Sequence, residues 1–218
     1  MAMAQPRPQP FVWVTWVSRL LAGEAQCLWA VWFKAHHTYT RLPSGFDLAA
    51  WQVEHAALLA AEAGRLTADG WTVLREGQNA FRLQGRSGIV LAGRPDLVAV
   101  RDGAALVMDC KTGSPRPSHH VQMMIYLLSL PYARKPYSSL PLHGRVVYRG
   151  DAVDVPADCV DDGFREHFRT VMSIIGDPAP ALRVPSPREC RFCDISADDC
   201  AERVDTEPEE PQGAVDLF

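Results

Sequence analysis

Residues 93–111 read Gly-Arg-Pro-Asp-Leu-Val-Ala-Val-Arg-Asp-Gly-Ala-Ala-Leu-Val-Met-Asp-Cys-Lys, and they restrict the fold more than any other stretch of the chain. Two runs rich in Val, Leu and Ala flank Asp102-Gly103. That dipeptide suits a two-residue type I′ turn, in which both central positions need positive φ. A β-hairpin is expected. With those two residues as the loop, Arg101 pairs with Ala104, Ala99 with Leu106 and Leu97 with Met108, which sets Asp96 opposite Asp109. Side chains alternate along a strand, so Asp109 and Lys111 share a face while Cys110 points to the other.

Directly opposed like charges destabilise a strand pair. At an effective dielectric near 20, two carboxylates about 5 Å apart repel by roughly 3 kcal/mol. A divalent cation held by both reverses the sign of that energy, and a hard ion such as Mg²⁺ or Mn²⁺ prefers oxygen ligands. The alternative is a surface hairpin whose acids point into water.

The run Gly93-Arg94-Pro95-Asp96 followed by Asp109-Cys110-Lys111, with Gln122 and Tyr126 beyond, resembles the PD-(D/E)XK nuclease superfamily in its RecB-like branch. The resemblance implies a restriction-endonuclease-like core. It implies that Asp96 and Asp109, with the Cys110 carbonyl, bind Mg²⁺ or Mn²⁺, and that Lys111 positions and activates the attacking water. Gln122 and Tyr126, four apart on the following helix, would then hold the DNA.

Upstream, Asp47 is placed to cap a long Ala-rich helix reaching about Leu66. His55 falls on its apolar side with Leu48, Trp51, Leu58 and Leu59. A histidine there is either a hydrogen-bonded core residue or, as the family resemblance implies, a further metal ligand. Glu54 is the neighbour that would replace it. Helices are also expected after Thr15, over Glu24 to Lys34, over Ser118 to Leu130 and over Asp161 to Ile175. Short strands are expected over Trp71 to Glu76, Phe81 to Gln84 and Gly88 to Ala92, with turns at Gly77 and Gly85, and around Arg149-Gly150-Asp151. Strands broken by helices predict an α/β (α+β) fold with a mixed central sheet flanked by helices.

Residues 176–188 hold Pro178, Pro180, Pro185 and Pro187 and read as a linker into Cys190, Cys193 and Cys200, spaced C-x2-C-x6-C. In a cytosolic chain such spacing points to a metal or cluster site rather than to disulfides. Three thiolates need a fourth ligand. The stretch Thr15 to His37, containing Cys27-Leu28-Trp29, resembles the N-terminal segment of the CRISPR-associated Cas-four nucleases and their AddB-like relatives. That likeness implies a 4Fe-4S cluster on Cys27, Cys190, Cys193 and Cys200, joining the N- and C-terminal segments. Four thiolates suit a structural Zn²⁺ equally on chemical grounds.

These readings divide the 218 residues into a disordered start (1–10), a helical segment with one cluster cysteine (11–45), the nuclease core (46–176), the linker with its cysteine segment (177–201) and an acidic disordered tail (202–218). Arg19, Glu24 and Lys34 interrupt the aromatic N-terminal region, so neither a membrane span nor a secretory signal is expected, and the protein is expected to be cytoplasmic. The formal charge is −4, but residues 201–218 carry six acids and one base, a net of −5, which leaves +1 for residues 1–200. A near-neutral body neither supports nor excludes DNA, since phosphates need a local basic stripe.

The tail ends in Ala214-Val215-Asp216-Leu217-Phe218, which resembles the pentapeptide by which bacterial repair and replication proteins dock on the sliding clamp. Together the residues and resemblances imply a metal-dependent nuclease acting on single-stranded DNA or free ends, in DNA repair and recombination or in CRISPR spacer acquisition beside CRISPR adaptation proteins. The alternative is a non-catalytic DNA-binding or assembly protein on the same scaffold.

Overall fold

A computed structural model describes residues 4–205. The tail beyond, including Ala214 to Phe218, lies outside the described residues. The chain starts with β1 (Gln5–Pro6) and β2 (Phe11–Trp13), then α1 (Val14–Leu21), α2 (Leu28–His36), β3 (His37–Thr38) and α3 (Leu48–Ala68). There follow β4 (Thr72–Arg75), the short helix α4 (Glu76–Asn79), β5 (Phe81–Gln84), β6 (Val90–Gly93), β7 (Leu97–Arg101) and β8 (Ala104–Cys110). The last elements are α5 (Pro117–Ser129), β9 (Leu142–Tyr148), β10 (Asp151–Val155), α6 (Asp162–Gly176) and α7 (Pro187–Arg191).

The expected hairpin is β7–β8. Asp102 and Gly103 sit at φ 51° and 76°. The register pairs Arg101 with Ala104, Ala99 with Leu106 and Leu97 with Met108. The hairpin lies at the centre of a five-stranded sheet ordered β10-β9-β8-β7-β4, in which only β8 and β9 run parallel. A parallel pair needs a crossover, and α5 supplies it. Because side chains alternate, β8 divides its residues between two cores. Ala105 and Val107 meet Met123, Ile125 and Tyr126 of α5 in one core. Leu106, Met108 and Cys110 meet Ala63 and Leu66 of α3 in the other.

The helix α5 presses close to the strands because two glycines leave room. A Cβ on Gly93 would lie 2.4 Å from Phe81 and 3.0 Å from Tyr126, and one on Gly144 would lie 2.5 Å from Met123.

Where one sheet is expected, the structure has a second, three-stranded one ordered β2-β6-β5, with β2 parallel to β6. This pairing keeps the chain extended through Trp13, so α1 starts at Val14 with Trp13 at its N-cap and Thr15 inside it. Residues 5–6, expected to be disordered, pair with His37 and Thr38, and Arg7 Nε donates to the carbonyls of Lys34 and His37.

The helix expected from Glu24 starts instead after Cys27. Glu24 is occupied by Ser118, and the N–H groups of Gln26 and Cys27 are taken by Glu189, which fixes residues 24–27 as a loop. The turn expected at Gly77 is the helix α4, whose buried Asn79 donates to the Leu74 and Pro95 carbonyls. Asp47 does cap α3, accepting from Ala50 N–H, and Asp161 likewise caps α6. Among the described residues, no helix is long and apolar enough to cross a membrane.

Candidate active site

Asp109 and Lys111 leave the end of β8 on the face covered by α5. That helix is fixed at its start by Pro117, and it turns Gln122 and Tyr126 onto the hairpin, both buried. Gln122 Nε2 donates to Asp109 Oδ1 at 3.2 Å and to the Tyr126 hydroxyl at 3.0 Å. Its Oε1 accepts from Lys111 Nζ at 2.9 Å. One amide therefore orders an acid, a base and a phenol.

Lys111 Nζ stands 2.5 Å from Asp109 Oδ2. That contact is an ion pair without hydrogen-bond alignment, and Oδ2 has no hydrogen-bond partner although it is buried. Burial pushes the Asp109 carboxyl up to about 6, Lys111 opposes the shift, and Asp96 adds to it. Burial works against the Lys111 ammonium, but Asp109 and Asp96 outweigh it, so Lys111 is held above its ordinary range and stays charged.

Asp96 Oδ2 accepts from the Cys110 N–H at 2.7 Å, a bond that ties the two acidic strand ends together. The same oxygen lies 3.2 Å from His55 Nε2. Since a carboxylate only accepts, that nitrogen carries the proton. The hydrogen bond to Asp96 pulls the His55 pKa up, against the effect of burial. A ligand atom from each of His55, Glu76 and Asp96 falls within 4.8 Å of the others. A cation there would take the place of the His55 proton. His55, Glu76 and Asp96 form a donor set of two carboxylates and one imidazole, which fits Mg²⁺ or Mn²⁺, whereas Asp109 falls outside that group and its Oδ2 stands against Lys111.

The structure thus brings together Asp96, Asp109, Lys111, Gln122, Tyr126 and His55. Glu54 is not among them, because it pairs with Arg149 at 2.8 Å on the exposed side of α3. The acid that sequence reasoning missed is Glu76. Its signal lies in the register: Arg75 pairs with Leu97, so one step further along places Glu76 beside Asp96. Arg94 approaches Glu76 at 3.7 Å. The Cys110 thiol points into the opposite core, where burial raises its pKa.

The four cysteines form a second centre. Cys27 is the N-cap of α2, Cys190 sits in α7, and Cys193 and Cys200 follow. Cys27, Cys193 and Cys200 pack against a small core of Trp29, Trp32, Phe33 and Ile195. Arg203 braces the segment, donating to the carbonyls of Cys190, Cys193 and Ile195 at 2.7–3.0 Å. Burial raises the Cys193 and Cys200 thiols. All four cysteines line one cavity of about 830 Å³ that also reaches Lys111 and Gln122. Among the described residues, no three of these sulfurs come within 4.8 Å of one another.

The model of the PD-(D/E)XK nuclease superfamily matches residues 15–197, and the chain belongs to that superfamily. Its mixed sheets flanked by helices accord with a restriction-endonuclease-like fold. No curated protein matches the sequence significantly. Among solved structures, that of SSO0001 is similar, with a TM-score of 0.48 at 16% identity over 92% of this chain and 90% of the other.

Proposed function

We propose that the protein is a Mg²⁺- or Mn²⁺-dependent DNA nuclease acting on single strands or free ends, with a structural 4Fe-4S cluster. The observation that carries the first half is the buried network in which Gln122 ties Asp109, Lys111 and Tyr126 together beside the His55, Glu76 and Asp96 cage. Asp96, Asp109, His55 and Glu76 would hold the metal, with the Cys110 carbonyl as a further oxygen ligand. A divalent ion there would supply Lewis acidity toward the scissile phosphate and toward a bound water.

Lys111 places a charged ammonium against Asp109, where it orients a water and faces negative charge developing on phosphate oxygens. Gln122 keeps Lys111 in position and Tyr126 braces Gln122 from the core; both are buried, so they order the site from within rather than contact the strand as the resemblance implied. The cavity beyond Lys111 is lined by Arg19, Lys34, Arg116, Arg183, Arg188 and Arg203 against Glu24, Glu189 and Glu202, a local basic excess suited to a phosphate backbone.

For the cysteine centre, thiolates on a single zinc stand about 3.8 Å apart by tetrahedral geometry at a 2.3 Å bond length. Cys27, Cys190, Cys193 and Cys200 line one cavity, and the choice of a 4Fe-4S cluster over zinc rests on the family resemblance of the segments that carry them. The same residues serve a repair or recombination exonuclease and a nuclease that trims CRISPR spacers.

The test is digestion of end-labelled single-stranded DNA with Mn²⁺ by anaerobically purified protein, whose visible spectrum reports the cluster. Lys111→Ala is expected to lose about 10²- to 10³-fold in rate, as do enzymes deprived of one charge-stabilising donor. Cleavage that ignores Lys111 would replace this reading with a DNA-binding protein on a nuclease scaffold, and a colourless, zinc-loaded protein would remove the cluster.

A further inference from the structure

We propose that Phe46 and Trp51 form a stacking platform for the nucleobases next to the phosphate held at the metal cage, an inference that rests on the nuclease reading above. The helix α3 has 21 residues yet buries only Ala63 and Leu66. Its start is apolar in water: Phe46 is 59% exposed, Leu48 56% and Val53 73%. The aromatic groups form a ladder. Trp51 stacks on His55 with ring centroids 4.9 Å apart and an 18° tilt, and the Phe46 ring lies 6.2 Å from Trp51, turned 55° from its plane.

The inner rung fixes what the outer rungs meet. His55 Nε2 contacts Asp96 Oδ2, so it belongs to the cage. A phosphodiester bound at the cage brings its own flanking bases within reach of the next rings along, and every base offers a π-face whatever its sequence.

The charges around the ladder suit this occupant. Arg94, whose side chain is 59% exposed, partly neutralises Glu76 of the cage, and Arg149, 62% exposed, pairs with Glu54 on the solvent side of α3. Asp47 is spent on the N-cap of α3. An apolar protein surface laid over Phe46 and Trp51 would cover the ring that stacks on His55 of the cage. A nucleotide strand satisfies both the rings and the cations.

The experiment is fluorescence anisotropy of labelled (dT)12 with the full-length protein, in EDTA to prevent turnover and again in Ca²⁺. Phe46→Ala is expected to weaken binding about five- to a hundredfold, the range found when a base-stacking aromatic is removed. Phe46→Tyr is expected to restore it. Moving a single abasic nucleotide along the strand should find a position where the lost base weakens wild type as Phe46→Ala does and leaves Phe46→Ala unchanged. Trp51→Phe, which keeps a ring on His55, is expected to bind two- to fivefold more weakly while retaining Mn²⁺ affinity.

Wild-type affinity in Phe46→Ala, or equal weakening on every abasic strand, would overturn the platform. So would failure of wild type to bind the strand, or sedimentation as an oligomer that Phe46→Ala dissociates, which would give this face to a second copy of the chain. Cleavage abolished by Lys111→Ala judges the nuclease reading independently of any of these results.

Discussion

At the hairpin site the side chains hold one another. Gln122 reaches three of them, Asp96 takes both a histidine and a main-chain amide, and the two cores of the sheet enclose the result. At the cysteine site many of the ties run through the main chain, beside a side-chain knot in which Asp194 pairs with Lys34 and accepts from the Tyr39 hydroxyl. Arg203 grips three carbonyls, Glu189 grips the amides of Gln26 and Cys27, and four large apolar residues form the core beneath. The first site is built by packing that exists before any ligand arrives. The second turns its thiols toward a cavity, where a metal group of the kind proposed would add its binding energy to the folding of the segment.

Cys190→Ser is the largest test of that contrast. It is expected to bleach the visible absorbance and to open residues 177–205 to limited proteolysis, because metal-binding energy at such sites is folding energy on the order of 10 kcal/mol. The hairpin core, including protection of the amides in β8, should survive. Global unfolding together with the core would show that the two regions form one cooperative unit.

Arg203→Ala asks how much of the C-terminal order is already present in the chain. The guanidinium side chain is only 11% exposed and donates to the carbonyls of Cys190, Cys193 and Ile195. Charge-assisted bonds of this kind contribute roughly 1.5–3 kcal/mol each, and those to one group do not add. A loss of about 3 kcal/mol in the stability of this segment is expected, read as faster proteolysis with cleavage of DNA at the hairpin site slowed less than tenfold. An unchanged proteolysis rate would mean that the thiols and their ligand alone hold the segment.

The same contrast governs what the sequence discloses. The Asp-Gly turn fixes the hairpin register that sets Asp96 near Asp109 and Lys111, and capping and period place α3, whereas His55, Gln122 and Tyr126 are marked out as site residues only by the family resemblance. Glu76 was hidden because α4 replaces an ordinary turn, and because Glu54, although next to His55 in sequence, turns outward to Arg149. The second sheet was hidden for another reason. Runs as short as Phe11–Trp13 and Val90–Gly93 contain apolar residues but nothing that names a partner, and their parallel pairing joins segments almost eighty residues apart. Local rules reach a hairpin, while a long-range strand pair is decided by the packing of the whole chain.

The smallest expected effect lies at the joint between the two regions. Glu24, three residues before Cys27, accepts from Ser118 N–H and Ser118 Oγ at 2.8 and 2.7 Å, at the start of the helix that carries Gln122. Its partial burial raises its pKa, but the two Ser118 bonds and the charges of Arg116 and Arg19 outweigh that and hold Glu24 below the ordinary value of 4.5. A depressed carboxyl stabilises the fold above its unfolded pKa and loses that contribution as pH falls through the folded value. The joint should therefore be intact at neutral pH and loosen only below about pH 4.5. Glu24→Gln keeps one acceptor and should cost under about 1 kcal/mol, since the group is largely solvated and screened. The measurement is hydrogen exchange of the Ser118 amide between pH 3.5 and 7, corrected for intrinsic rates. Protection that falls with pH in wild type, and in Glu24→Gln is lower by up to about fivefold at neutral pH and insensitive to pH, assigns the order of the Ser118 amide to this carboxylate; equal protection in both proteins leaves the two regions to act separately.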